Sequence, residues 1–187
     1  MPLYQNSSVA TNKLILGNFK VEVGASVAAT VQNVGAGMIT AINHEPTLYD
    51  TQAGNAPDPV KGVASETIKV SMEMIEYDAS VLNVIYGGLL NMSTASSVQT
   101  IHAGGNADSA ITPKFWRFTN TKYPGGTTVQ TIFSVYYATP DAGPGFTLKS
   151  DNDTDPIAVM PLSITGEVDP SRAAGRQLYT ITYDVKP

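Results

Sequence analysis

The chain has 187 residues, enough for one domain, and it contains no cysteine, which excludes disulfides and thiolate metal sites. Only 14% of the residues are charged, and the net charge is −5. The lysines and arginines are scattered singly, whereas a general nucleic-acid-binding protein carries a basic stripe. The composition therefore favours a globular domain that does not adhere to nucleic acid.

The first residues carry no export signal. Residues 1–13 are polar and lack periodicity, which predicts a flexible N-terminal arm. They lack the basic and apolar regions of a signal peptide, and no apolar run approaches the ~20 residues of a membrane span. We therefore expect a soluble protein that is made in the cytoplasm.

Three strands are expected next, at residues 14–23, within 24–37 and at 38–42. Residues 44–65 then form a polar stretch that is marked by prolines and glycines. A connection of this length is uncommon in a compact domain and is usually either functional or disordered. We interpret residues 44–65 as a long loop between two strands.

The clearest strand follows this loop, at residues 66–76. Side chains alternate along it, with apolar residues Ile68, Val70, Met72 and Met74 and polar residues Lys69, Ser71 and Glu73. A period of two places the apolar set on a buried face and the polar set in solvent.

A helix is predicted at residues 78–90. Asp78 can accept hydrogen bonds from the first free backbone amides, and Gly87-Gly88 can end the helix. Apolar residues at one-face spacing lie between these ends, so we expect the helix to lie on a sheet.

The rest of the chain is again rich in strands. Residues 91–110 are rich in serine, alanine and glycine and suggest another long excursion. Further strands are predicted at residues 114–123, 127–138, 146–149, 157–168 and 178–185. Roughly eight strands and one helix predict a mainly β fold, an antiparallel barrel or sandwich with one short flanking helix and a long inter-strand loop. We expect a single domain over residues 1–187.

No arrangement of residues in the sequence indicates catalysis. Residues 151–155 begin like a calcium loop, but Pro156 replaces the turn glycine and Leu162 stands where the bidentate glutamate should be. His44 and His102 have no partner at metal spacing. We therefore expect no enzymatic activity, no catalytic residue, no bound metal and no cofactor.

The stretch around the long loop resembles a known family. The run YDTQAGNAPDPVKG at residues 49–62 is followed by SETIKVSME at residues 65–73 and then by the short helix. Together with GNFKVEV at residues 17–23, this succession is similar to the tail tube proteins of long-tailed bacteriophages. The likeness is best over residues 14–90.

This resemblance implies both an architecture and a set of partners. It implies a β-barrel subunit flanked by one helix, six of which form a ring, with rings stacked into a tube whose lumen conducts DNA. Contractile-tail and type VI secretion tube proteins are built similarly. The implied partners are further copies of the chain and the tail tip and tail terminator proteins. DNA would pass through without specific binding, and the protein would reside in the phage tail of the virion.

The cost of ordering the loop also favours a contact between subunits. Fixing the backbone of residues 44–65 costs on the order of 20–40 kcal/mol at ~1–2 kcal/mol per residue. Offsetting this requires on the order of 1,000 Å² of buried apolar surface at ~25 cal/mol per Å², but the loop has few large apolar side chains. We therefore expect an assembly arm that becomes ordered against a neighbouring subunit or ring. The expected contact residues are Tyr49, Asp50, Asn55, Asp58 and Lys61.

The wet faces of the strands flanking the loop are candidates for the lumen wall. Acidic and small polar side chains there would repel phosphates and leave DNA free to slide. The lumen candidates are Thr40, Lys69, Ser71 and Glu73. Lys69 has the opposite charge, and we expect it to pair with an acid across the subunit boundary.

Two other functions are compatible with the sequence. One is another β-rich virion structural protein, such as a tail terminator or a head decoration protein, which has less need of so long an arm. The other is a soluble β-sandwich carbohydrate-binding module. Its stacking platform would consist of Tyr136, Tyr137, Tyr179 and Tyr183. Their alternation on strands favours packing in a core or at an interface.

Overall fold

The computed structural model describes residues 18–51, 60–75, 79–86, 90–95, 98–103, 111–122, 128–145 and 159–186. Several predicted features lie outside these ranges, namely the arm at 1–13, Asp78, the strand at 146–149 and the turn at 151–155.

The described residues form nine strands and one helix. In chain order they are β1 (Asn18–Gly24), β2 (Gln32–Thr51), β3 (Val60–Met74), α1 (Ala79–Tyr86), β4 (Leu90–Ala95), β5 (Val98–Ala103), β6 (Lys114–Lys122), β7 (Thr128–Pro140), β8 (Met160–Glu167) and β9 (Tyr179–Lys186). The predicted excursion at 91–110 contains a hairpin, β4–β5, that the sequence analysis missed.

Six strands close into an antiparallel barrel in the order β6-β1-β2-β3-β8-β7, because β6 also pairs with β7. β9 pairs with β7 as a further strand, and β4–β5 form a separate two-stranded sheet. The mainly β, antiparallel fold with one short flanking helix is thereby confirmed. No helix among the described residues is long and apolar enough to cross a membrane.

The core lies inside the barrel. The alternation predicted for β3 is confirmed, since the side chains of Ile68, Val70, Met72 and Met74 are at most 2% exposed. Across the barrel, Trp116 stacks on Phe118, and Phe118 stacks on Phe133. The indole nitrogen of Trp116 donates to the carbonyl oxygen of Ala138 at 3.3 Å, which satisfies the polar atom of this buried side chain.

The helix α1 has eight described residues within the predicted 78–90 and depends on the barrel for its stability. Its predicted end at residue 90 is wrong, since Leu90 begins β4, and residues 87–89 lie outside the described ranges. Its Leu82, Ile85 and Tyr86 side chains are buried against the core. Near its end, Lys114 of β6 donates from Nζ to the carbonyl oxygen of Val84, one of the carbonyls that a helix end leaves free. Burial lowers the pKa of Lys114 and raises that of Tyr86 to about 12.

The extent predicted for the loop at 44–65 is wrong. β2 continues to Thr51 and β3 begins at Val60, and the register pairs His44 with Ile68 and Thr51 with Val60. Ladder hydrogen bonds thus offset part of the entropy cost that the sequence analysis assigned to a free loop. Residues 52–59, between the two strands, lie outside the described part of the chain.

Candidate assembly surface

The two strands β2 and β3 extend together beyond their neighbours. β1 pairs with β2 only as far as Met38, and β8 pairs with β3 only from Thr67 onward. Residues 46–51 and 60–66 are therefore paired only with each other among the described strands. We call this two-stranded segment the ribbon.

The ribbon carries apolar side chains that its own subunit does not cover. Leu48 and Val63 are register partners and are 54% and 52% exposed. On the opposite face Tyr49, 49% exposed, lies across Gly62, where an added Cβ would be 2.4 Å from the tyrosine Cζ. A two-stranded hairpin is marginally stable alone, and clustered exposed apolar residues mark contact surfaces. The ribbon therefore exposes apolar side chains on both of its faces.

Three of the five predicted contact residues fall on this ribbon. Tyr49 is half exposed, and Asp50 is the register partner of Lys61. Asn55 and Asp58 lie outside the described residues. The intermolecular contacts of all five remain predictions.

At the root of the ribbon the sheet forks. β8 and β9 both run antiparallel to β7 along one edge, with β8 ending at Glu167 and β9 beginning at Tyr179. Beyond Glu167, one branch of the sheet consists of β9 paired with β7. The other branch is the ribbon, in which β3 is paired with β2. The fork holds a cavity of about 380 Å³, lined by His44, Glu66, Val168, Gly175, Gln177, Leu178 and Tyr179.

His44 spans this fork. Its ring meets Tyr179 of β9 edge-on, with 5.7 Å between centroids, and its Nε2 lies 3.6 Å from Glu66 Oε1. The sequence analysis treated His44 as an isolated histidine. Its neighbours are distant in sequence, and only the forked topology brings Tyr179 beside it.

The predicted lumen candidates lie on the outer face of the barrel wall. Lys69, Ser71 and Glu73 alternate with the buried residues of β3. Thr40 is exposed and stands at a register shift in β2, between Ile39 and Ala41. The structure thus brings all four to the outer surface of two adjacent strands, and their exposure to a lumen remains a prediction.

Lys69 was expected to pair with an acid across the subunit boundary. The structure instead shows an acidic partner within its own chain. The Nζ of Lys69 lies 3.3 Å from Asp141 Oδ2, beyond the end of β7. The Asp141 carboxylate also accepts hydrogen bonds from the hydroxyls of Ser163 at 2.7 Å and Thr165 at 2.5 Å. Burial alone would raise the pKa of Asp141, but these donors and the Lys69 charge hold it below its usual value. The positive charge on this face is therefore locally balanced.

A second charged cluster joins β1 to β6. Glu22 accepts hydrogen bonds from Lys20 Nζ and from Nε of Arg117, its register partner on β6, both at 2.7 Å. Burial opposes ionisation of Glu22, but the two cations outweigh it and lower its pKa. This cluster fastens two strands of the wall.

Over the described residues alone, the remaining candidate groups bear on metal binding and on nucleophilic catalysis. Among the described residues no group of three or more His, Cys, Asp or Glu side chains could hold a metal ion. On β4–β5, Ser93 Oγ lies 3.5 Å from His102 Nε2, and both residues are exposed. A nucleophile needs a base that a third group orients, and the contacts described for this pair do not include one.

The four tyrosines do not form one stacking platform. Tyr136 stacks on Phe115 at 6.2 Å, and Arg172 lies 3.6 Å from its ring centroid. Tyr179 instead contacts Phe133 and His44 through ring edges. Two of the proposed sugar-binding rings are thus engaged within the chain.

Comparison with known proteins gives similarities of fold only. No protein-family model and no curated protein matches the chain. The chain is similar to one from a six-fold symmetrised cryo-electron microscopy structure of the anti-feeding prophage baseplate, with a TM-score of 0.47 and 9% identity over 91% of this chain and 95% of that one. It is also similar to one from the tube-terminating cap of the anti-feeding prophage, with a TM-score of 0.42 and 13% identity over 97% and 100%. Because both TM-scores lie below 0.5, function has to be inferred from the surfaces of this chain.

Proposed function

We propose that the chain is a structural subunit of a phage tail tube, which polymerises as stacked rings around a lumen for DNA. The observation that carries this proposal is the ribbon of residues 46–51 and 60–66, which leaves the barrel with Leu48, Tyr49 and Val63 about half exposed. The six-membered ring comes from the sequence resemblance. The role is contact between copies rather than catalysis.

The energetics of the ribbon support contact with a second copy. Full burial of a Val or Leu side chain contributes ~1.5–3 kcal/mol, so covering the exposed half of each ribbon side chain contributes ~1 kcal/mol. The unpaired edges of β2 and β3 can also accept backbone hydrogen bonds from a neighbouring strand. In a closed ring, every head-to-tail contact uses the same two surfaces of the subunit. These gains would therefore be repeated at every interface of the ring.

The chemistry of the outer wall is consistent with a lumen through which DNA passes without being bound. On the outer face of the β3–β8 pair, hydroxyls are present at Ser71, Ser163 and Thr165, and Lys69 on this face is paired with Asp141. With the acidic Glu73 on the same face, this surface offers phosphates little unpaired positive charge. We infer that this face lines the lumen.

The test is whether the ribbon is needed for polymerisation. Negative-stain microscopy of concentrated wild-type protein is expected to show hollow tubes. Leu48→Ser and Val63→Ser are expected to abolish or shorten them while leaving the thermal unfolding of the subunit unchanged. Val98→Ser, which alters a 63% exposed side chain on β5, is the matched control and should assemble normally.

Two outcomes would contradict the proposal. A wild-type protein that stays monomeric at high concentration and binds a glycan would favour the carbohydrate-binding module. Ribbon variants that form tubes as well as the wild type would separate polymerisation from the ribbon.

A further inference from the structure

Two buried polar side chains face each other inside the barrel. Asn120 of β6 and Thr131 of β7 are register partners, 6% and 1% exposed. Asn120 Oδ1 and Thr131 Oγ1 are both buried and have no hydrogen-bond partner among the described residues. By contrast Glu22, also buried, has two partners. The pair is an exception to the general rule that buried polar groups are hydrogen-bonded.

The orientation of Asn120 is fixed by its other end. Its Nδ2 donates to the carbonyl oxygen of Asn18 at 2.6 Å. The oxygen left over can only accept, whereas the Thr131 hydroxyl can both donate and accept. One molecule that donates to Oδ1 and exchanges a hydrogen bond with Oγ1 would satisfy both atoms.

We infer that one ordered water molecule is bound between Asn120 and Thr131 as a structural part of the barrel. Directly opposed residues on neighbouring strands have Cβ atoms ~4.5–5.5 Å apart, which leaves no room for an inserted side chain but allows a bridging water. Buried waters of this kind make ~3 hydrogen bonds to groups that otherwise lack partners, and they are costly to remove.

The water has a role beyond filling a gap. The β1–β6 ladder runs from Lys20 to Gly24, so it does not include Asn18. The Asn120 side chain instead holds Asn18, the first described residue of β1. By fixing the Asn120 amide, the water anchors this end of β1.

Thr131→Val tests the inference through the sign of its effect. If the water bridges the pair, removing the hydroxyl removes one of its partners and weakens the hold on Asn120 Oδ1, which raises the unfolding equilibrium constant ~5–30-fold. If the hydroxyl is merely unsatisfied, replacing it with a methyl group leaves stability unchanged or increases it. Denaturant unfolding of the full chain, followed by the fluorescence of the single tryptophan, Trp116, measures this at one fixed protein concentration. Thr119→Val, on the outer face of β6, is the matched control and should have little effect.

A second measurement does not depend on a variant that folds. A high-resolution crystal structure of the wild type is expected to show a water within hydrogen-bond distance of both atoms. A direct bond between Thr131 Oγ1 and Asn120 Oδ1 without a water would overturn the inference, as would a Thr131→Val protein as stable as the wild type.

Discussion

The same two strands behave differently in the barrel wall and in the ribbon. In the wall, residues 67–74 of β3 pair with β2 on one edge and β8 on the other, and Ile68 and Val70 are completely buried. In the ribbon, β3 pairs only with β2, and Val63 is 52% exposed. Both segments are strands, so pairing alone does not decide burial. What differs is the presence of a second neighbour and of a core beneath the sheet.

The largest difference in stability between wall and ribbon is expected when one apolar residue is truncated in each region. Ile68→Ala is expected to lower the free energy of unfolding by about 2–5 kcal/mol, because it opens a cavity in the packed wall. Leu48→Ala should change it by less than ~0.5 kcal/mol in the isolated subunit, since about half of the Leu48 side chain is already in solvent. Denaturant unfolding under Trp116 fluorescence gives both values. Equal losses would show that the ribbon is packed against its own barrel.

An intermediate effect is expected where the wall is fastened by charge. Glu22→Gln should cost about 1–3 kcal/mol, because Lys20 and Arg117 lose a buried charged acceptor. The pKa of Glu22 in the folded state is below its usual value, so its contribution is complete above the unfolded pKa and is lost as pH falls through the folded pKa.

The gap between wild type and Glu22→Gln should therefore be constant above about pH 5 and should shrink on acidification below about pH 4. Urea unfolding across this range measures the gap. Glu73→Gln, on the outer face of β3, is the control, and a gap that widened in acid would contradict the assigned sign.

The smallest effect on stability is expected from Gly62→Ala, which tests whether the ribbon acts in polymerisation rather than in folding. Gly62→Ala places a methyl group where the Tyr49 ring lies, so the ring must swing away. Because only a flexible side chain moves, the free energy of unfolding should change by less than ~0.5 kcal/mol. Polymerisation, scored by the protein concentration at which tubes appear, should nevertheless weaken. Gly143→Ala, with nothing within 4 Å of the added Cβ, should leave this concentration unchanged.

The sequence was informative where one face of a strand is buried. The period of two along β3 predicted both the strand and its buried side chains, since a core beneath the sheet imposes that alternation. The ribbon lacks such a core, so its sequence carries prolines, glycines and polar residues and was interpreted as loop. Helix α1 was recognised from its apolar spacing, but its predicted end at residue 90 is wrong, because Leu90 begins β4; residues 87–89 lie outside the described part of the chain.

Features that depend on distant contacts could not be predicted. The pairing of Lys69 with Asp141 and the contact of His44 with Tyr179 both require the order in which β3, β8, β7 and β9 meet. Nothing local to these residues signals their partners. Strand periodicity thus predicted which face of β3 carries Lys69, Ser71 and Glu73, whereas the interaction that positions Lys69 could not be predicted.

The closure of the barrel has a mechanical consequence. The register between β7 and β8 has three pairs, from Ala138 to Pro140, whereas β3 and β8 share eight. A closed ring under load yields first at its shortest seam. Asp141 lengthens this seam, since its backbone amide donates to the Ser163 carbonyl at 2.8 Å and its carboxylate bonds to the two hydroxyls of β8. We therefore expect the β7–β8 ladder to separate first when the subunit is pulled, and Asp141 to resist this through both its backbone amide and its carboxylate.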